Sequence, residues 1–192
     1  RPRTCPCCGT GRVADAEGRP AVRRLKILRF AEAGAERVED LVTEEIALAV
    51  LAEHRRLAVL LCSPADLEDL VRGFFYTNHL IERVEDLRSI VVNRATWTAF
   101  VGLAPEIDVD RLPARGVISS GCGSAGPAEG FARRPEKGGR GPAPAAPRIA
   151  PQVIGALMQE LSSRSEAHRQ TGGVHAAALA DRDGIALFRE DI

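Results

Sequence analysis

The segment 127–148 constrains what this chain can fold into more than any other stretch. Nine of its 22 residues are proline or glycine, and Phe131 is its one large apolar side chain. Proline removes a backbone donor and glycine loses the most conformational freedom on ordering, so such a segment supplies neither a helix nor a central strand. It reads as a linker or long loop. The 192 residues therefore divide into a Cys-containing N-terminus at 1–20, a first folded part at 21–126 and a second at 149–192. With 45% hydrophobic residues the chain can bury a core.

Periodicity assigns the elements on either side. Apolar and basic residues nearly alternate over 22–30, the pattern of a half-buried strand. Ile46, Leu48 and Val50 share one face of a strand at 45–51, a turn follows at 52–55, and an apolar run at 57–62 completes a hairpin. Cys62 ends that run and reads as a buried core thiol. Ser63-Pro64-Ala65-Asp66 offers a serine N-cap, proline at the first helical position and an early acidic residue. Leu67, Leu70, Val71 and Phe74 then form the inner stripe of a helix ending near Asn78. Residues 89–101 are rich in β-branched and aromatic types and predict one or two strands with Trp97 packed among them. A short strand at 116–118 runs into a glycine-rich loop. After the linker, Val153, Ile154, Leu157, Met158 and Leu161 predict an amphipathic helix ending near His168, with Met158 as core filler. Strands at 174–180 and 185–189 flank a turn at Asp181–Gly184. The fold class is α+β, a mixed α/β chain in two parts.

Composition narrows the partners. Lys plus Arg and Asp plus Glu both number 26, so no net field draws nucleic acid to the chain. No apolar run approaches the roughly 20 residues of a membrane span, and the first residues lack a signal-peptide pattern, so a cytoplasmic protein without membrane contact is expected. Five cysteines, with Cys5, Cys7 and Cys8 clustered and Cys62 and Cys122 isolated, do not form a disulfide framework. Cys5 and Cys8 are half a zinc knuckle, but no second pair follows and no structural metal is expected. His79, just past a helix end, reads as a partner for the last carbonyls. The chain starts at Arg1 without methionine and Ile192 closes a strand with no helix behind it, which leads to the expectation of a piece of a longer product.

Residues 119–126 read Ser-Ser-Gly-Cys-Gly-Ser-Ala-Gly. Flanking glycines place the Cys122 thiol in an exposed turn and not in a core. Successive N–H groups of such a turn, at Gly121 and Gly123, can form an anion nest, and Ser119, Ser120 and Ser124 can add hydroxyl donors. That environment suits a thiolate or a persulfide. A hydrolytic cysteine also needs a histidine base. His54, His79, His168 and His175 are all distant in sequence, so only the fold could provide one. From the residues alone an unremarkable surface thiol remains an equal reading.

Three stretches carry a resemblance. Asp66-Leu67-Glu68-Asp69-Leu70 with Gly73-Phe74, the Cys122 loop, and Thr171-Gly172-Gly173-Val174-His175-Ala176-Ala177-Ala178-Leu179 with Arg189-Glu190-Asp191-Ile192 together resemble the formate dehydrogenase accessory sulfurtransferases, the FdhD family. Order and spacing agree across 44–192. The resemblance implies a cytoplasmic sulfur carrier that takes sulfur from a cysteine desulfurase and passes it to the molybdenum cofactor, in its bis(molybdopterin guanine dinucleotide) form, for formate dehydrogenase. It implies Cys122 as the persulfide carrier and Thr171, Gly172, Gly173 and His175 as a cofactor-facing group. It also implies a homodimer, and a second domain that resembles the start of a cytidine deaminase-like fold without its zinc. Two departures stand out. Ala125 occupies the place of the family's second loop cysteine, which leaves a single persulfide in place of a cysteine pair. The family also continues past Ile192 with Gly-Arg-His-Asn and further sheet, so the second domain is expected to be incomplete and the Val153 to Leu161 stripe to lack part of its cover. The alternative reading is a non-catalytic module that binds the guanine-dinucleotide cofactor, or an inactive member of the family.

Overall fold

A computed structural model of the chain describes residues 22–32, 34–120 and 149–192. These form nine strands and three α-helices: β1 (Val22–Ala31), β2 (Gly34–Thr43), β3 (Ile46–Ala52), β4 (Arg55–Cys62), α1 (Leu67–Thr77), β5 (Leu87–Asn93), β6 (Thr98–Leu103), β7 (Val117–Ile118), α2 (Pro151–Arg164), α3 (Glu166–Thr171), β8 (His175–Ala180) and β9 (Ile185–Asp191). The expected α+β class holds. The N-terminal segment 1–20 and the linker 127–148 lie outside the described residues. What is described falls into two compact units that do not follow chain order. One takes the residues up to Glu45, the three residues Ser63–Ala65 and Ile149–Ile192; the other takes Ile46–Cys62 and the residues from Asp66.

The second of these units is a five-stranded mixed sheet in the order β5-β6-β3-β4-β7. The predicted hairpin is there as the antiparallel pair β3 and β4, with Ile46 opposite Cys62 and Ala52 opposite Arg55. Alternation along β3 buries Ile46, Leu48, Val50 and Ala52 and turns Ala47, Ala49 and Leu51 the other way. Residues 89–101 resolve into two strands joined by a turn, in which Asn93 Oδ1 accepts from the amides of Ala95 and Thr96. Trp97 closes the turn with a φ of 48° and packs half-buried against the core. Helix α1 lays Leu67, Val71, Phe74 and Phe75 into the same core, where Phe74 and Phe75 meet edge to face at 5.6 Å. Burial of each such side chain contributes about 1.5–3 kcal/mol. Cys62 is buried at the end of β4, as expected.

Two elements differ from the sequence reading. Helix α1 begins at Leu67, with Asp66 as its N-cap at a φ of 44°, not at Pro64 behind a Ser63 cap. Ser63 is buried, and both its amide and its hydroxyl donate to Asp191 Oδ1, the amide at 2.7 Å. The amide and hydroxyl protons of Ser63 go to a charge-assisted pair with the carboxylate, and the helix starts at Leu67, behind Asp66. The helix expected to end near His168 breaks at Ser165, whose hydroxyl donates back to Leu161 O at 2.8 Å, and continues as α3 to Thr171.

The other unit holds two hairpins, β1 with β2 and β8 with β9, together with α2 and α3. Strand β2 went unpredicted because the hairpin is largely exposed and burial does not enforce alternation along it. The turn between β8 and β9 follows from its residues: Asp181 Oδ1 accepts from the amides of Asp183 at 2.8 Å and Gly184 at 3.2 Å, and Gly184 takes a φ of 147°. Helix α2 buries none of its residues. Met158 is 57% exposed and Ile154 51%, so Met158 is not core filler.

Candidate functional site: the Cys122 approach and the Thr171 to Asp191 motif

The thiol singled out by sequence, Cys122, lies outside the described residues together with Gly121, Gly123 and Ser124, as do Cys5, Cys7 and Cys8. Ser119 and Ser120 are described; both are half-buried and follow directly on β7. Strand β7 is built onto the sheet edge by parallel pairing with β4, Val117 opposite Val59 and Ile118 opposite Leu60. The chain therefore leaves β7 at the end of the sheet where β4 reaches Cys62. Cys62 itself is 1% exposed and cannot meet a substrate. The stretch leading into β7 is anchored by Arg55, whose Nη1 donates to the carbonyls of Val109, Asp110 and Leu112 at 2.9, 2.7 and 2.6 Å. Val59 N donates to Gly116 O at 3.2 Å and fixes the last residue before the strand. Nothing in the sequence marked Arg55, because a charged residue in a hairpin turn normally faces water.

The second group, Thr171 to His175, is well described, and its hydrogen bonds assign Thr171 a clear task. Thr171 Oγ1 donates to Ala167 O at 2.8 Å and accepts from Gly173 N at 3.1 Å. Thr43 Oγ1 lies 3.0 Å away, and since Thr171 has already given its one proton, Thr43 is the donor. A hydroxyl has one proton and two lone pairs, so Thr171 is saturated within the fold. Gly172 ends α3 in the left-handed conformation, φ 64°, with its amide donating to His168 O at 2.7 Å. A Cβ on Gly173 would stand 3.2 Å from Thr43 Oγ1, so a side chain there would press on the same cluster. Gly172, Gly173 and His175 are exposed; Thr171 is half-buried beneath them. The structure thus places Gly172 and Gly173 on the turn that follows Thr171 and His175 at the start of β8, with the Thr171 hydroxyl holding the turn and Gly172, Gly173 and His175 exposed.

The Arg-Glu-Asp-Ile end of the motif caps the start of α3 and ties the end of β9 to Ser63. Glu190 is 7% exposed, and its carboxylate accepts from His168 N at 3.1 Å and Ala167 N at 3.4 Å, the unpaired amides of the first turn of α3. Asp191, opposite His175 in the β8–β9 register, receives Ser63 and the amide of Ile192 at 2.8 Å. Both residues were visible in the sequence as a signature, but their acceptor roles depend on partners more than 20 and more than 120 residues away, Glu190 to His168 being 22 apart and Asp191 to Ser63 being 128. Among the described residues, no three His, Cys, Asp or Glu are grouped to hold a metal, and no helix is long and apolar enough to cross a membrane.

Similarity to known proteins bears on this geometry. The sulfur carrier protein FdhD of Bacillus subtilis is 28% identical over 167 residues, which is 86% of this chain and 63% of that protein. Its counterpart in Halalkalibacterium halodurans is 28% identical over 175 residues, 90% of this chain and 64% of that protein. The chain thus spans somewhat less than two thirds of the length of these relatives. A crystal structure from Desulfotalea psychrophila, of a protein described as a formate dehydrogenase accessory protein, shares the fold with a TM-score of 0.59 at 18% identity, covering 88% of this chain and 60% of that one. A family model matches residues 43–192, a span that contains the five-stranded sheet, the Cys122 loop, the Thr171 turn and the Glu190 and Asp191 carboxylates, and by that match the chain belongs to the FdhD/NarQ family.

Proposed function

We propose that this chain is a sulfur carrier in which Cys122 holds sulfane sulfur as a persulfide. The observation that carries the reading is the family match over 43–192, which includes the Cys122 loop, together with relatives named sulfur carrier proteins. In the first step the Cys122 thiolate attacks the terminal sulfur of a cysteine desulfurase persulfide. A new S–S bond forms on Cys122, the desulfurase S–S bond breaks, and the desulfurase cysteine leaves as thiolate. The sulfane sulfur moves without net oxidation. In the second step the S–S bond on Cys122 breaks, Cys122 leaves as thiolate, and the sulfane sulfur passes to the substrate, the bis(molybdopterin guanine dinucleotide) molybdenum cofactor, in the service of a formate dehydrogenase in the cytoplasm. Two electrons from the cofactor's metal or from an external thiol reductant bring that sulfur to the sulfide level. With Ala125 in the loop, one persulfide serves each transfer. Gly172, Gly173 and His175 are the outward groups of the motif that would meet the cofactor, and Thr171 keeps their turn in shape. Incubation with a cysteine desulfurase and cysteine should add the mass of one sulfur, removable by a thiol reductant, and the adduct should vanish in Cys122→Ala. An adduct of equal size in that variant overturns the assignment.

A second reading has its own support in the exposed Gly172-Gly173 backbone beside His175: a module that binds the guanine-dinucleotide cofactor without transferring sulfur. Calorimetric titration with GDP separates the two. The carrier reading loses ground if guanine nucleotide binds, Cys122→Ala leaves that binding unchanged, and no sulfur adduct ever forms.

A further inference from the structure

The hairpin of β1 and β2 precedes, up to Val42, the part of the chain that the family match covers. It is a pair of ten-residue strands, long for a two-stranded sheet, and β2 packs against α3. Strand β1 pairs with β2 alone among the described residues, so its other edge carries a row of backbone donors and acceptors without strand partners. Residues directly opposite in an antiparallel pair share a face, which puts Arg24, Lys26, Leu28 and Phe30 on one side with Arg37 and Glu39. Phe30 is 77% exposed and Leu28 49%. One exposed apolar side chain is ordinary. Two of them spaced i, i+2 beside an open strand edge are an adhesive feature that soluble proteins normally avoid. The ion pairs along the hairpin take Arg24 with Glu39 and Arg29 with Glu36 and Asp40. Lys26 and Arg37 are left out of any ion pair among the described residues, Lys26 two residues before Leu28 on the same face of β1 and Arg37 opposite Leu28 on β2.

We propose that the open edge of β1 is a docking strand for an extended acidic segment of a partner protein, seated on Leu28 and Phe30 and steered by Lys26 and Arg37. Strand addition supplies main-chain hydrogen bonds, and the alternate side chains select the partner. Apolar anchors beside two cations that make no ion pair among the described residues fit apolar residues flanked by carboxylates. A second copy fits poorly, because Val22–Ala31 carries four cations and no carboxylate, and two such edges repel. A polyanion such as nucleic acid or an anionic membrane fits poorly as well, since residues 22–43 hold five cations against four carboxylates.

Fluorescence anisotropy with a labelled octapeptide tests the proposal: alternate positions carry two valines and two glutamates, with threonine between. The full chain should bind it saturably, and added salt should weaken the binding. Lys26→Glu and Phe30→Ser should each reduce affinity by about tenfold or more, whereas Cys122→Ala should not change it. The same peptide with lysine for glutamate should not bind. Both substituted side chains are exposed, so an unchanged thermal melt verifies that the variants are folded. Absence of saturable binding, equal binding by Lys26→Glu and Phe30→Ser, or preference for single-stranded DNA or anionic vesicles over the acidic peptide overturns it.

Discussion

The buried polar side chains Ser63, Ser165 and Glu190 all lie in the unit built from the two hairpins with α2 and α3, while the continuous apolar core lies in the five-stranded unit. In the five-stranded unit, burial of Leu48, Val50, Leu57, Val71 and Phe75 is complete. Among the described residues of the hairpin unit, Ala65, Ala167, Val174 and Ile185 are the buried apolar side chains that join the three polar ones. The contrast teaches where each unit keeps its order. A core distributes stability over many small contacts. A frame of carboxylate-to-amide bonds concentrates it in a few atoms, and here those atoms fix the start of α3, the helix that ends at Thr171.

The contrast can be broken by comparing losses. The largest effect is expected from Phe75→Ala in the five-stranded unit, which should cost about 3–5 kcal/mol in urea unfolding, the range for a fully buried aromatic residue. A loss below about 1 kcal/mol would mean that the core is not what holds that unit. Next comes Glu190→Ala, which strands two amides at the start of α3 and should cost about 2–3 kcal/mol. Hydrogen exchange at Ala167 and His168 should rise with it, while amides of β3 and β4 keep their protection; Glu190→Gln, which retains an acceptor, should restore part of the protection. If exchange rises uniformly instead, the carboxylate frame is not local and the comparison fails. The smallest effect is expected from Met158→Gln, within about 0.5 kcal/mol of the parent because that side chain faces solvent. A larger loss would restore Met158 to a core.

What could be read from the sequence follows the same division. The β3–β4 hairpin and the stripe of α1 are legible because burial imposes a period on their residues, whereas the largely exposed strands at 117–118, 175–180 and 185–191 are legible from their short apolar runs and the Asp-Gly turn between the last two. Strand β2 is not, since its exposed faces tolerate charge; Phe75, four residues after Val71, extends the stripe of α1 by one position beyond Phe74. The start of α1 was misplaced for another reason: Ser63 answers to Asp191, a residue 128 positions away, and local capping rules know nothing of it. At the candidate site, the grouping of Thr171, Gly172, Gly173 and His175 was legible as a contiguous motif. The supporting parts, Thr43, Glu190, Asp191 and Arg55, come from distant segments and become visible only once the chain is folded.

The central claim is that Cys122 carries the sulfur. It is tested most directly by loading the chain with a cysteine desulfurase and cysteine, alkylating, digesting, and reading which cysteine-containing peptide bears the additional sulfur. The account predicts the adduct on the peptide containing Cys122, with Cys62 reactive only after unfolding because it is 1% exposed. An adduct found instead on the peptide with Cys5, Cys7 and Cys8, or loading that persists undiminished in Cys122→Ala, would contradict it.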